Sequence, residues 1–417
     1  MPENFHIDMP EAVRNIIHTI EEHGFKAYAV GGCIRDSILG RNPDDWDITT
    51  SAVPSQIKTF FKRTVDTGIA HGTVTIMIDK TGYEVTTYRI DGEYEDGRHP
   101  KSVEFSDRLV DDLCRRDFTI NAMAYNDTDG FVDEFKGLDD LDTKIIRCVG
   151  EPELRFTEDA LRMMRAIRFS AQLGFTIDEA TWNAIKKLAP SINKISMERV
   201  HVELGKTLMS AHPDYVAQYS EAGLFAPILP VIDNALKSRY KRKILATLQH
   251  TPDNIYLRYA ALFITSTPDE AAKTLRALKL DNKTVNTVSK LVELSKMDIE
   301  ETEPAVRTAL NKYGRDFLPL WHELMMAVIQ ASEDITGISN PAKVKHLLTL
   351  KRLGTDILAR GDCFTIKDLD ISGNDLIEYG LQGHEIGETL KSLLDIVIEN
   401  PKLNDKATLI AMIEHIK

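Results

Sequence analysis

Cysteine is scarce. The 417-residue chain has four, Cys33, Cys114, Cys148 and Cys363, and no Cys-x-x-Cys pair. A disulfide framework and a structural zinc ribbon are both disfavoured, and a reducing cytoplasm is the expected setting. Long apolar runs are also lacking. No window approaches the roughly 18 consecutive apolar residues of a membrane span, and the N-terminal MPENFHIDMP has no basic region followed by an apolar one. No internal repeat and no low-complexity tract is visible. Basic charge is in deficit: 51 Lys and Arg face 64 Asp and Glu, a net charge of −13. Such an average argues against a nucleic-acid partner, because phosphate contacts want a basic surface.

The distribution of charge along the chain reverses that inference. Residues 1–140 carry 15 basic and 27 acidic side chains, net −12. Residues 141–210 carry 11 and 9, net +2, and residues 211–417 carry 25 and 28, net −3. Acidity is concentrated in the first third, so it restricts where RNA can lie without excluding RNA. Hydrophobic residues at 43% and charged residues at 28% are those of an ordinary folded protein. At about 100–200 residues per domain, two to four domains are expected.

The first third alternates helical and strand patterns. Pro10–His23 carries Val13, Ile16, Ile17 and Ile20 at helical spacing and stops at Gly24. A strand at Lys26–Val30 runs into Gly31-Gly32, followed by a helix over Cys33–Leu39 ended by Gly40 and a strand candidate at Trp46–Thr49. Val74–Ile78 and Tyr83–Tyr88, joined by Asp79-Lys80-Thr81-Gly82, read as a hairpin. Arg89–Lys101 is polar, with Gly92, Gly97 and Pro100, and reads as a mobile loop. From about Thr157 onward no strand is evident; apolar residues recur at three and four, divided by Pro213, Pro227, Pro230, Pro252 and Pro268. The expected class is α+β, a mixed head followed by an all-α remainder.

Chemistry concentrates first in Gly31-Gly32-Cys33-Ile34-Arg35-Asp36 and Asp45-Trp46-Asp47. Residues two apart on a strand share a face, so Asp45 and Asp47 would present adjacent carboxylates that call for a cation. Mg²⁺ typically binds one or two carboxylates plus substrate phosphates. A third carboxylate, for which Glu84 is the candidate, would let the site hold two ions. Glycines at a strand-to-helix turn let backbone N–H groups approach phosphate closely. Asp-x-Asp alone is a common tripeptide that a polar turn explains equally well; the Gly-Gly-x-x-Arg-Asp turn upstream reverses that preference.

With Arg115-Arg116-Asp117-Phe118-Thr119-Ile120-Asn121-Ala122, these motifs resemble those of the polymerase β-like nucleotidyltransferases. More narrowly they resemble the class II tRNA nucleotidyltransferases, the CCA-adding enzymes and their bacterial poly(A) polymerase relatives. The resemblance implies a catalytic head at 1–145, a helical neck reading the nucleotide base at 146–210, and a tRNA-binding body at 211–330 and tail at 331–417. It implies that Asp45 and Asp47 are metal ligands, with Glu84 a catalytic partner. It also implies nucleotide contacts from Gly32, Arg35, Arg115, Arg116, Asp117, Asn121, Asp159, Arg162, Arg165 and Arg168. Paired guanidiniums do suit phosphate oxygens, and an adjacent carboxylate can accept a ribose hydroxyl.

The second informative stretch is Arg155–Phe169. Thr157 reads as an N-cap with acidic residues in the first turn. Asp159 and Arg162, three apart, would share a face, with Glu158, Arg162 and Arg165 forming an overlapping polar stripe. A salt-bridged helix would show the same pattern. Cytosine and adenine, however, each present an amino donor beside a ring-nitrogen acceptor, which a carboxylate and a guanidinium complement. Guanine and uracil present the opposite order and would leave buried groups unpaired. Glu158, Asp159 and Arg162 are thus candidates for base selection, and they resemble the base-reading motif of the class II enzymes.

Gly137-Leu138-Asp139-Asp140-Leu141 with Ile145-Ile146-Arg147 resembles the hinge between head and neck, and Ser196-Met197-Glu198-Arg199-Val200 with Glu203-Leu204 a neck-stabilising helix. Ser372-Gly373-Asn374-Asp375-Leu376 resembles a tail segment. The segment from Arg89 to Pro100, with Arg89, Asp91, Asp96 and Arg98, matches the flexible loop that CC-only relatives lack or shorten and A-only relatives retain, which favours full CCA addition, and His99 stands where many relatives have Arg. The basic run Lys237, Arg239, Lys241, Arg242 and Lys243 is a candidate tRNA-backbone contact, with a solvated helix face as the alternative.

What the resemblance implies is template-independent addition of C, C and A to the 3′ end of tRNA from CTP and ATP, with two Mg²⁺ ions and release of pyrophosphate. A-only or CC-only addition is the second expectation and poly(A) synthesis, which usually brings a basic extension, the third. Expected partners are the tRNA 3′ end and acceptor and T arms and no membrane, with the protein a monomer or weak dimer in the cytoplasm.

Overall fold

The computed structural model describes residues 6–92 and 102–416, with side chains through residue 413. Two compact units are present, Met1–Pro230 and Val231–Lys417.

The first unit begins with α1 (Glu11–Glu22), whose buried face is the expected Val13, Ile16, Ile17 and Ile20. Then come β1 (Ala27–Val30), α2 (Gly32–Ile38), β2 (Ile48–Thr50), α3 (Pro54–Phe60), β3 (Thr64–Gly68), β4 (Thr73–Ile78) and β5 (Thr81–Thr87). A small ribbon, β6 (Arg89–Asp91) and β7 (Val103–Phe105), precedes α4 (Leu109–Cys114), β8 (Ala124–Asn126) and β9 (Gly130–Val132). Seven strands form one sheet in the order β3-β4-β5-β2-β1-β8-β9. Only the β2–β5 pairing in it is parallel; every other pair runs antiparallel. The β4–β5 hairpin turns on two residues rather than four. Asp79 (φ 46°) and Lys80 (φ 72°) both take positive φ, which matches the twist of the flanking strands.

Arg89–Asp91 is a strand rather than the start of a loop: Ile90 pairs with Glu104, and the Gly92 N–H donates to the Ser102 carbonyl (2.9 Å). The expected loop residues Asp96, Arg98 and His99 lie outside the described residues.

Helix α5 (Gly137–Asp142) and β10 (Ile145–Ile146) lead into the helices α6 (Pro152–Glu158), α7 (Leu161–Leu173), α8 (Glu179–Leu188), α9 (Met197–Leu208) and α10 (Val216–Glu221). The expectation of no strand beyond Thr157 is corrected by β11 (Thr176–Ile177), which pairs in parallel with β10. At two residues it is too short to carry a period, and it sits between Gly174, which ends α7 in the left-handed conformation, and Asp178, which caps α8. Arg147 ties this junction together, reaching Asp140 (3.2 Å) and Asp178 (2.5 Å), while the Thr119 hydroxyl donates to Asp140 (2.7 Å).

The second unit is entirely helical among the described residues. It comprises the rest of α11 (Pro230–Lys237) and then α12 (Lys241–His250), α13 (Ile255–Leu262), α14 (Pro268–Ala277), α15 (Asn282–Leu294), α16 (Glu303–Tyr313), α17 (Phe317–Thr336), α18 (Pro341–Arg360), α19 (Gly373–Glu378), α20 (His384–Glu399) and α21 (Lys406–Ile416). Prolines start helices here. Pro268 follows Thr267, whose capping box with Glu270 satisfies two end groups reciprocally. Ser372 and Asp375 form a second capping box, so the tail motif read from the sequence is a helix start. The expected boundary between residues 330 and 331 falls inside α17. Arg307, almost fully buried, pairs with Asp362 (2.9 Å) and donates to the Ile398 carbonyl (2.6 Å), joining α16 to α20. Leu376, Leu393, Val397 and Leu409 form the terminal core.

Candidate active site

The site is built around the turn between β1 and α2. Gly31 has φ +88°, and a Cβ there would lie 2.8 Å from Nη1 of Arg116. Conformation therefore favours glycine at Gly31, and any side chain there would also displace the Arg116 guanidinium packed on its Cα. Gly32 only opens α2, where a Cβ would meet Arg35 at an ordinary 3.6 Å.

The strand expected at Trp46–Thr49 begins two residues later, at Ile48. Asp47 immediately precedes it and is held by the Val30 N–H, which donates to its carbonyl (2.9 Å). The β2–β5 register pairs Ile48 with Val85, and one step outward it sets Asp47 beside Glu84. Asp45, Asp47 and Glu84 all reach solvent. Even so, burial is the first cause raising the carboxyl pKa of Asp47 and of Glu84. These groups are thus accessible yet flanked by protein. Neighbouring carboxylates raise them further, Asp45 acting on Asp47 and both acting on Glu84, while Arg116 pulls Asp47 the other way. Among the described residues no three His, Cys, Asp or Glu side chains converge into a metal site. Asp45 and Asp47 could hold a cation between them, with Glu84 on the neighbouring strand. That suits Mg²⁺, which takes few protein carboxylates and completes its shell with phosphate and water.

Asp112, wholly buried on α4, organises the arginines. Its Oδ1 accepts from Nε and Nη2 of Arg115 (3.0 and 2.6 Å), and its Oδ2 accepts from Nη2 of Arg116 (3.2 Å). Burial would raise its pKa, but the two guanidiniums hold it below the usual carboxylate range. Arg116 Nε is buried without a hydrogen-bond partner among the described residues. Such a donor between Gly31 and Asp47 suits an anionic group.

Asp117 is an internal anchor. Its Oδ1 accepts from the Phe118 N–H (2.9 Å) and Asn121 Nδ2 (3.1 Å), and its Oδ2 from Arg165 Nε (2.7 Å). Against the opposing effect of burial, Arg165 and Asn121 hold this carboxyl far below its ordinary pKa. Asn121 Oδ1 in turn accepts from Arg35 Nη1 (2.6 Å), and the other edge of Arg35 forks onto Asp36 (2.9 and 2.8 Å). Arg168 is likewise buried, paired with Glu203 (2.5 Å) and Gln172 (2.6 Å). Arg35, Arg165 and Arg168 surround the Phe169 ring at 5.0, 5.3 and 3.9 Å. Arg35 thus joins α2 to Phe169 on α7, and Arg168 joins α7 to Glu203 on α9.

The single helix expected from Thr157 is two. Thr157 lies in the last turn of α6, where its hydroxyl donates to the Glu153 carbonyl (2.7 Å), and Asp159 sits extended in the break before α7. Asp159 and Arg162 are not paired with one another. Arg162 Nη1 donates to Glu158 (2.6 Å) and its Nη2 to the Arg115 carbonyl (2.9 Å). Asp159 instead receives the fork of Arg199 on α9, at 3.3 and 2.6 Å. At the base of the expected loop, Arg89 pairs with Asp91 (2.9 Å), and Asp91 lies 4.0 Å from Arg115.

Three protein-family models match in chain order: the poly A polymerase head domain over residues 27–147, the RNA and SrmB-binding site of polymerase A over 174–236, and tRNA nucleotidyltransferase domain 2 over 256–413. The CCA-adding enzyme of Limosilactobacillus fermentum is 37% identical over 407 residues, covering 96% of this chain and 95% of its own. The chain belongs to the CCA-adding enzyme family. The CCA-adding enzyme of Streptococcus suis is 35% identical over 425 residues, covering 100% of this chain and 98% of its own. The crystal structure of the Bacillus stearothermophilus CCA-adding enzyme in complex with CTP matches with a TM-score of 0.75 at 32% identity, over 97% of this chain and 96% of that one. The expected fold class, a polymerase β-like head followed by helices, is thus met.

Two residues of this family member's site are not among those expected from the sequence. Asp112 has a visible signal, standing three and four residues before Arg115 and Arg116 on a helix. Arg199 stands in the Ser196–Val200 motif, but its pairing with Asp159, 40 positions away, has no local signal. The basic run falls at the end of α11 and the start of α12, in the second unit. Lys237 pairs there with Asp233 (2.9 Å), Arg239 lies over Tyr240 (5.0 Å), Lys241 is half-buried, and Arg242 and Lys243 are exposed. The four cysteines are free, and burial pushes the Cys33 and Cys148 thiols up to about 12, which leaves them inert. No described helix is long and apolar enough to cross a membrane.

Proposed function

We propose that this chain adds C, C and A to the 3′ end of tRNA from CTP and ATP, without a nucleic-acid template. One contact carries the reading: the Arg162 side chain, which would meet the base, is hydrogen-bonded to the Arg115 carbonyl (2.9 Å) of the segment that would hold the phosphates. Base choice and phosphate position are thereby linked through one peptide group.

Arg115 and Arg116 hold the triphosphate, kept in place by Asp112 and, for Arg116, by the bare Cα of Gly31. Asp117 and Asn121 act from behind, fixing Arg165 and Arg35. Asp159 and Arg162 read the amino and ring-nitrogen groups of cytosine or adenine. The terminal 3′-hydroxyl attacks the α-phosphorus in line, forming the new phosphodiester and releasing pyrophosphate. Asp45 and Asp47, with Glu84 beside them, would hold Mg²⁺, whose chemistry is to lower the hydroxyl pKa and neutralise phosphate charge. The exposed residues around Lys237–Lys243 suit the tRNA backbone. A tRNA substrate puts the work in the cytoplasm.

The test supplies purified protein with a tRNA lacking its 3′ CCA, giving CTP and ATP separately and together and sequencing the products. CTP alone should stop at CC, and the two together should yield CCA. A ladder of A residues would establish poly(A) synthesis instead, and A added only to a tRNA already ending in CC would establish A-only activity.

A further inference from the structure

We propose that the second unit carries a binding site for a single-chain fatty carboxylate, in the cavity where the C-terminal half of α17 meets the start of α18. The cavity shares no residue with the nucleotide and metal positions assigned above, and all of its lining belongs to the second unit.

Its volume is about 580 Å³, within the roughly 300–1,000 Å³ of sites that take small organic ligands. The buried lining is apolar: Trp321, Ile329 and Leu347 are almost wholly covered. Trp321 Nε1 donates to the Leu294 carbonyl (3.2 Å), so the indole has no donor left and offers only carbon to a ligand. Met325 and Ile335, half-buried, continue this surface, and Ile338, 72% exposed, carries it out to solvent. The unbranched thioether of Met325 adapts readily to a flexible chain.

The polar lining is distributed in the opposite way. Lys243, Lys343, Asp298 and Asn340 are exposed and His346 is half-buried, so no polar group waits among the buried ones for a heteroatom. A ligand must therefore be apolar along its length and charged at one end. His346 is bonded to Glu301 through Nδ1 (2.9 Å), with Asp298 4.0 Å from its Nε2. Neither Lys243 nor Lys343 has an ion-pair partner among the described residues. Two lysines less Asp298 leave one positive charge, which matches a carboxylate better than a doubly charged phosphate. The first turn of α18 adds to this, since Asn340 caps the Lys343 N–H (3.1 Å) and the helix dipole there favours an anion.

Full-length protein is titrated with octanoate, decanoate and laurate below their micelle concentrations, followed by calorimetry and tryptophan emission. One molecule should bind per chain, and each added methylene should tighten binding about fourfold. Trp321 is the single tryptophan of the second unit, so the emission change should vanish in Trp321→Phe. Lys243→Ala/Lys343→Ala should weaken all three ligands about fivefold while keeping the step per methylene, which separates head from chain. Ile338→Asp, at an exposed position that spares the fold, should weaken them about tenfold. Binding without saturation, an affinity indifferent to chain length or to the two lysines, or an emission change kept by Trp321→Phe overturns the site. So does a wild-type dimer that Ile338→Asp separates, since the face would then belong to a second copy of the chain.

Discussion

The carboxylates beside the β1–α2 turn of the head and those of the neck are arranged in opposite ways. Asp45 acts on Asp47 and both act on Glu84, with Arg116 opposing them at Asp47, and Asp47 and Glu84 are pushed toward the protonated state. In and against the neck, four acids each hold a guanidinium: Asp117 with Arg165, Glu158 with Arg162, Asp159 with Arg199 and Glu203 with Arg168. Like charge with little compensation marks a place prepared for something positive. Compensated charge calls for no such partner, and its use is orientation. Charge count alone misses this difference.

Substitution should separate the two regions. Asp47→Asn should reduce nucleotide incorporation by about 10³-fold while leaving thermal stability unchanged or slightly raised, since it removes repulsion. Incorporation within threefold of wild type would remove Asp47 from the chemistry. Asp117→Asn should behave in the reverse way, lowering urea-derived stability by about 2–3 kcal/mol because it strands Arg165. The partly open side of Arg165 keeps this below the cost of a fully buried pair. A loss under about 0.5 kcal/mol would mean the pair is no brace.

Gly31→Ala probes the seam between the regions. An L residue at φ +88° costs about 1–3 kcal/mol, and its Cβ would displace the Arg116 guanidinium. Activity should therefore fall further than stability accounts for, with KM for both nucleotides raised. Unchanged KM would dissociate Arg116 from the phosphates.

The same contrast explains what can be read from the residues alone. The head hairpin, α1 and the Gly-Gly turn are legible because their signals are local: alternation, three-and-four spacing, and glycine at a turn. The break at Asp159 is not, since no glycine or proline marks it and Thr157 imitates a cap. Partner exchange is invisible for a related reason. Glu158 and Arg162 are four apart and their pairing follows from spacing, whereas the grip of Arg199 on Asp159 exists only once α9 packs on α7. The inward turn of Arg35 and Arg168 depends in the same way on Phe169, which three guanidiniums share only in the folded chain.

The smallest expected effect tests the comparison through pH. Asp112 and Asp117 have folded pKa values below the ordinary 3.8, so the native state holds fewer protons than the unfolded chain across that range. Their stabilisation is complete above it and is lost as pH falls through it. Asp47 and Glu84 have raised values, starting from 3.8 and 4.5, so between the unfolded and folded pKa the native state holds more protons. Stability from that pair is present at lower pH and declines as pH rises through the window. In metal-free buffer the double variant Asp47→Asn/Glu84→Gln should lack this decline and exceed wild type near neutrality by less than about 1 kcal/mol, since both groups are screened by solvent. Its stability loss in acid, carried by Asp112 and Asp117, should be unaltered. Adding Mg²⁺ should raise the wild-type melting temperature and raise that of the variant far less, because the variant keeps Asp45 but has lost two of the three carboxylates. Equal responses to Mg²⁺ would mean that these carboxylates are not where the cation binds.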